Sequence, residues 1–133
     1  MNYEVETSST RKKPIFNKDI ANIQLKLGAT NLTNNVLIPI IEKHILNDEP
    51  VIVFAQTDDN YNHANMYIES GIYKIFIPGA YGIGYSGAGS SGINQVLISL
   101  GMDYDTGDAL VTNSELRNGY IQVVFKNKGD AKW

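Results

Sequence analysis

The stretch MYIESGIYKIFIP, residues 66–78, decides the fold prediction, because it is a short apolar run rich in β-branched and aromatic residues. Similar runs, PVIVFAQ, INQVLISLG, DALVTNS and NGYIQVVFKN, are bounded by glycine, aspartate, asparagine or proline. In the last run Ile121, Val123 and Phe125 point one way and Tyr120, Gln122 and Lys126 the other, as in a strand with one buried face, and only Val124 breaks the polar face. Five strands at this spacing predict a mainly β protein, an antiparallel β-sandwich or open barrel head over residues 50–133.

The polar residues 1–14 lie before this region. They end in the cations Arg11, Lys12 and Lys13, which predict an extended attachment arm that becomes ordered by lying on a partner. A frayed terminus is the alternative. Residues 15–49 are predicted to form a segment for attachment and oligomerisation.

One short helix is predicted within that segment, at about residues 35–46, where apolar residues recur at helical spacing. Thr33 or Asn34 is the predicted cap. Pro39 is compatible only with the first turn of such a helix. Residues 15–32 fit a helical stripe and a strand alternation equally well, so both remain open.

Composition excludes several classes of protein. The 133 residues carry a net charge of −3 and include no cysteine. An acidic chain lacks the basic face of a general nucleic-acid binder. Without cysteine there is no disulfide, no thiolate metal site and no cysteine nucleophile. The apolar runs are shorter than about ten residues, so no membrane insertion is predicted.

The glycine-rich stretch GAYGIGYSGAGSSG, residues 79–92, contains G-x-G-x-x-G at Gly82, Gly84 and Gly87. A dinucleotide site needs a helix opening from the last glycine, and the run after Gly92 is strand-like. A P-loop needs a lysine that is missing here. The stretch is therefore interpreted as a hairpin connection, and a small enzyme acting on a phosphorylated substrate is a minor alternative.

A contact surface is the second interpretation of this stretch. Tyr81 and Tyr85 alternate with glycines, so one face of an extended segment would be bare and another backbone could approach it. We therefore predict a subunit contact at Gly82, Gly84 and Gly87. Tyrosines beside glycine and serine are also typical of recognition loops.

Two acidic loops, TDDNYNHAN at residues 57–65 and GMDYDTGD at residues 101–108, could supply oxygen ligands to calcium. Neither has the spacing of a calcium-binding loop, so turns are the default and no metal or cofactor is predicted. No pair of carboxylates and no Ser/His/Asp set is placed by spacing, so no enzyme is predicted. A calcium-stabilised carbohydrate-binding β-sandwich is kept as the alternative function.

The segment from about residue 66 to 133 resembles the small knob-like domains on phage tail fibres and tail-like bacteriocins. ESGIYKI, with Gly71-Ile72-Tyr73, is similar to a strand of those domains, and QVLISLG to the apolar strand that follows. The closing strand, turn and terminal Gly129 to Trp133 complete the likeness.

This resemblance implies a structural component of a bacteriophage virion, of the head-fibre or tail-fibre type, assembled in the host cytoplasm. Such proteins are usually homotrimers, anchored to other virion proteins by the N-terminal part. Their heads often bind host glycans, and aromatic rings stack on sugars. The candidate receptor contacts are then Tyr61, Tyr81, Tyr85 and Tyr104.

Overall fold

The computed structural model of the chain describes residues 2–9, 18–45, 50–56, 63–117 and 119–126. Within them, the chain forms six strands and three α-helices. The strands are β1 (Asn2–Ser8), β2 (Ile23–Gln24), β3 (Val51–Gln56), β4 (Ala64–Ser70), β5 (Tyr73–Tyr81) and β6 (Tyr120–Lys126), and the helices are α1 (Thr30–Ile40), α2 (Ala88–Ser99) and α3 (Tyr104–Val111).

The six strands form one open sheet in the order β1-β6-β3-β4-β5-β2. Neighbouring strands are antiparallel, apart from β2, which pairs with β5 in parallel. The predicted sheet is therefore present, but helices are as extensive as strands, so a mainly β chain is only loosely consistent with the structure. The described residues form an open sheet and neither a sandwich nor a barrel. This sheet is covered by helices instead of by a second sheet.

The main core lies between one face of the sheet and the three helices. Strand residues of alternate positions, among them Ile68, Ile75 and Val123, are fully buried there. Leu37 of α1 and Leu97 of α2 meet them from the helical side. The apolar residues that alternate along the strands and those that recur at helical spacing thus pack into one common apolar layer.

The prediction of a strand at INQVLISLG is wrong, because residues 93–99 of this run belong to α2. Ile93, Val96, Leu97 and Leu100 are all buried, and their spacing of three, one and three is that of a helix face turned to the core. The β-branched residues favoured a strand in the sequence prediction. The helix forms because it buries all four of these side chains on one face.

The strand predicted at DALVTNS is also wrong, because most of it lies in α3. The Asp103 side chain caps this helix and accepts hydrogen bonds from the Thr106 backbone N–H (3.0 Å) and hydroxyl (2.7 Å). Gly107 lies within the helix, where its Cα approaches the Asn94 side chain of α2 too closely for any larger residue. Most of the GMDYDTGD loop is therefore the start of a helix.

α1 begins at Thr30, earlier than predicted, and neither Thr33 nor Asn34 caps it. Thr33 donates a hydrogen bond to the carbonyl of Ala29 (2.7 Å), and Asn34 is buried against α2 and β5. Pro39 lies inside the helix, not in its first turn. Soon after it, residues Ile41–Ile45 continue as a π-helix, which is consistent with local widening after the missing N–H of a proline.

The described residues of the N-terminal region contribute two strands to the sheet. Residues 2–8, predicted as part of an extended arm, form β1 and pair with β6. In residues 15–32, which the sequence left open, the described part contains a short 3-10 turn and the two-residue strand β2. Elements from the predicted arm, attachment segment and head therefore share one sheet.

The predicted strand at residues 66–78 is a hairpin. β4 and β5 meet at a tight turn, where Gly71 has φ of 56° and Ile72 is 75% exposed. The strands predicted at β3 and β6 are confirmed. In β6, Ile121, Val123 and Phe125 are buried as the alternation predicts.

Candidate functional site

A helix does follow the glycine-rich loop, contrary to the sequence interpretation. β5 ends at Tyr81, the loop spans residues 82–87, and α2 begins at Ala88. The order strand, glycine loop, helix is that of many phosphate-binding loops. The contacts of the loop therefore decide what it can hold.

The side chain of Tyr85 fills this loop. A methyl group on Gly82 would lie 2.7 Å from Cζ of Tyr85, and one on Gly87 would lie 3.1 Å from its ring. The hydroxyl of Ser90 lies 2.5 Å from the carbonyl oxygen of Tyr85 and 3.1 Å from that of Gly82, so it can donate to either. The space inside the loop is thus taken by the Tyr85 ring, and the Ser90 hydroxyl bonds the carbonyl groups of the loop.

Gly82 and Gly84 are buried and Gly87 is exposed, and the predicted subunit contact at these three glycines stays a prediction. Gly82 and Gly87 lie against the Tyr85 ring. Gly84 has φ of 89°, donates its N–H to Val111 (2.8 Å) and packs on the backbone of Arg117. The small residues permit internal approaches between β5, α2 and α3.

The candidate tyrosines lie in different surroundings. Tyr81 is 1% exposed, so it is not available at the surface as a receptor contact. Tyr85 is half-buried, with the guanidinium of Arg117 5.7 Å from its ring centroid. Tyr104 is 61% exposed. Tyr61 lies outside the described residues.

Tyr81 belongs to a buried polar cluster that joins β5, α1 and α2. Its hydroxyl donates to Oδ1 of Asn34 (2.7 Å). Nδ2 of Asn34 donates to the carbonyl of Gly92 (3.0 Å) and to Oε1 of Gln95 (3.0 Å). Burial raises the pKa of Tyr81 well above its ordinary value, so the hydroxyl remains a donor. The cluster positions two helices on the sheet.

The acidic loop at residues 101–108 has a structural use, since Asp103 caps α3 and these hydrogen bonds lower its pKa. Both acids of residues 57–65, Asp58 and Asp59, lie outside the described residues. Within the described ranges, no three acidic or histidine side chains converge as metal ligands. The basic run Arg11, Lys12 and Lys13 also lies outside those ranges.

Sequence reasoning missed the edge of β1 that faces away from β6, which we call the free edge of β1 because no strand of the described residues pairs with it. The N–H of Phe125 donates to the carbonyl of Pro50 (2.9 Å), on the β3 side of β6. Successive residues of a strand direct their backbone groups to opposite edges. The backbone N–H and C=O groups of Val124 and Gln122 therefore point to β1, where the register partners of these residues are Glu4 and Glu6.

It follows that the odd-numbered residues of β1 direct their backbone outward. The N–H and C=O groups of Tyr3, Val5 and Thr7 point to the edge away from β6, and β1 pairs with no other strand in the described part of the chain. The opposite edge of the sheet is different, because β2 has only two residues. A long unpaired edge is a template for another strand.

The two faces of β1 differ in chemistry. On one face, Glu6 accepts hydrogen bonds from the Tyr120 hydroxyl (2.8 Å) and Gln122 (3.4 Å), and Glu4 lies 3.1 Å from the ammonium of Lys126. On the other, Val5 is 42% exposed beside the core. The alternation in Tyr3-Glu4-Val5-Glu6-Thr7 was the available sequence signal.

Comparison with protein-family models, curated proteins and solved structures finds no match to this chain. Among the described helices, none has the length and apolar character needed to cross a membrane. The geometry of the chain itself therefore carries the functional argument.

Proposed function

We propose that this protein is a structural component of a larger assembly and acts by contact with other protein chains, not by catalysis. The single observation that carries the proposal is the seven-residue strand β1 at the edge of the sheet, with the backbone groups of alternate residues directed outward. Strand addition at such an edge gives a firm main-chain contact without a pocket.

The assembly that we propose is a bacteriophage virion, on the resemblance of ESGIYKI and the closing segment to fibre knobs. ESGIYKI includes the exposed tip of the β4–β5 hairpin, with Ile72 outermost. Tyr104, also exposed, is the remaining described candidate for a glycan contact. A homotrimer is the oligomeric state that the resemblance implies, and light scattering of the purified chain measures it.

The experiment is to purify particles from the source culture and to measure this chain in them by quantitative mass spectrometry. The proposal predicts a fixed, multiple number of copies per particle. Finding the chain only in the particle-free fraction contradicts the virion proposal.

Two proline variants test the edge of β1 in the same particles. Val5→Pro removes an outward N–H and leaves the bonds to β6, whereas Glu6→Pro removes an inward N–H and breaks the pairing. We expect Val5→Pro to fold but to be lost from particles. Normal incorporation of folded Val5→Pro would exclude β1 as the contact.

A further inference from the structure

We infer that the free edge of β1 takes an extended protein segment with basic residues at two alternate positions, flanked by β-branched residues. This inference rests on the proposed function and adds the chemistry of the partner. The edge presents carboxylates on one face of the sheet and apolar or hydroxyl side chains on the other, so an incoming strand meets two different stripes.

The acidic stripe consists of Glu4 and Glu6. Lys126 is the cation within reach of either carboxylate among the described contacts, and the Glu4 side chain remains 71% exposed beside it. The neutral side chains of Tyr120 and Gln122 donate hydrogen bonds to the Glu6 carboxylate and hold it in place. Glu6 has no cation among its described contacts, and Glu4 stays largely exposed beside Lys126, so each carboxylate can take an opposite charge from an incoming strand. Opposite charges across a strand pair are favourable.

The geometry brings partner side chains close to these carboxylates. Because the backbone of Glu4 and Glu6 faces β6, an antiparallel incoming strand meets them in non-hydrogen-bonded pairs. The Cα atoms in such pairs are about 4.5 Å apart, closer than in hydrogen-bonded pairs. A lysine or arginine opposite each glutamate lies within reach of its carboxylate.

The same geometry disfavours a second copy of β1 as the occupant. Two identical edges join about a two-fold axis. Pairing centred on Val5 sets Glu4 of one copy opposite Glu6 of the other, and pairing centred on either glutamate sets that residue opposite itself. Every two-fold register that pairs five or more residues of β1 therefore opposes like charges at the shortest spacing.

The other stripe selects the flanking residues. Tyr3 packs partly on the core, with its ring 5.9 Å from that of Phe125, and Val5 is 42% exposed. Valine or threonine opposite Val5 extends this apolar surface and suits a strand. The preferred segment therefore alternates basic and β-branched residues.

The probe is the peptide Thr-Val-Lys-Val-Lys-Val-Thr, compared with a peptide of the same pattern with glutamate for lysine. NMR titration of the whole chain follows the amides of Tyr3, Val5 and Thr7. We expect the lysine peptide to shift and protect these amides and the glutamate peptide to leave them unchanged. The lysine peptide should bind Glu4→Gln/Glu6→Gln roughly two- to thirty-fold more weakly, since two charge pairs are lost.

The variant pair keeps the size of both side chains and removes their charge. A carboxamide has one acceptor oxygen, so Glu6→Gln keeps at most one of the hydrogen bonds from Tyr120 and Gln122, and the amide spectrum of the variant shows whether it is folded. Equal binding of the two peptides, or equal binding to the variant, overturns the inference. Failure of the lysine peptide to bind at millimolar concentration also overturns it, and so does a dimer that Val5→Pro dissolves, since the occupant is then a second copy. The dimer still supports an assembly role for β1, whereas absence of the chain from particles refutes the virion proposal alone.

Discussion

Removal of one buried hydroxyl is the sharpest test of how the helices are fixed to the sheet. Tyr81→Phe deletes the hydroxyl that donates a hydrogen bond to Oδ1 of Asn34 at 2.7 Å. Asn34 is only 5% exposed. The change in shape is small, and the acceptor is left without this partner. An unpaired buried polar group costs about 1–3 kcal/mol. For a chain of 133 residues this lowers the melting temperature by about 4–11 °C.

Calorimetry of Tyr81→Phe measures this shift, and Tyr120→Phe is the matched control. The hydroxyl of Tyr120 also bonds a side chain, Glu6 at 2.8 Å, but at an exposed site where water replaces it. The control should melt close to the wild type. A double-mutant cycle with Asn34→Ala should show coupling of about 0.5–3 kcal/mol. Equal melting of the two phenylalanine variants would refute the reasoning.

The same residue gives a dependence on pH. Burial raises the pKa of Tyr81 above its ordinary value of 10.0, so the folded chain keeps a proton that the unfolded chain loses. The stability due to this group is complete below pH 10 and declines as the pH rises toward the raised pKa. The wild type should therefore lose stability above pH 10 more steeply than Tyr81→Phe.

Two further predictions concern the helices. Gly92→Ala places a methyl group on Cγ2 of Thr30 and should cost about 1–3 kcal/mol by urea unfolding. In a Thr30→Ser background, which keeps the hydroxyl bond to Ala80, the same change should be neutral or stabilising; an equal cost in both backgrounds contradicts the clash. Asp103→Ala should lower the melting temperature at neutral pH. Because the pKa of Asp103 is lowered in the folded chain, the difference in melting temperature between wild type and variant should be complete above about pH 4 and should disappear as the pH falls below that value. A difference that persists in acid would show that the charge of Asp103 does not contribute to the cap.

The strands that the sequence predicted correctly are those whose side-chain pattern is complete in a few residues. β6 is such a strand, since Ile121, Val123 and Phe125 alternate strictly and are all buried. β1 has a similar alternation, but it is built from Glu4, Glu6 and a few apolar residues. Its partner β6 lies more than a hundred residues away, so nothing local indicated pairing.

The prediction for α2 failed for the opposite reason, because the β-prone residue types were given more weight than the helical spacing of the apolar residues. Ile93 and Val96 favour strands as residue types, yet with Leu97 and Leu100 they form one helical stripe. Only the buried sheet face explains why that stripe is used. The Tyr85 ring inside the glycine loop was also beyond sequence reasoning, because contacts across a loop depend on the tertiary path of the chain.

Amide hydrogen exchange along β1, measured by NMR on the isolated chain, tests the central claim most directly. The N–H groups of Glu4 and Glu6 face β6, and that of Val5 faces the free edge. We predict slow exchange at Glu4 and Glu6 and fast exchange at Val5, which becomes slow when the lysine peptide is added. Slow exchange at Val5 in the isolated monomer would contradict the account, because the edge would then already be covered.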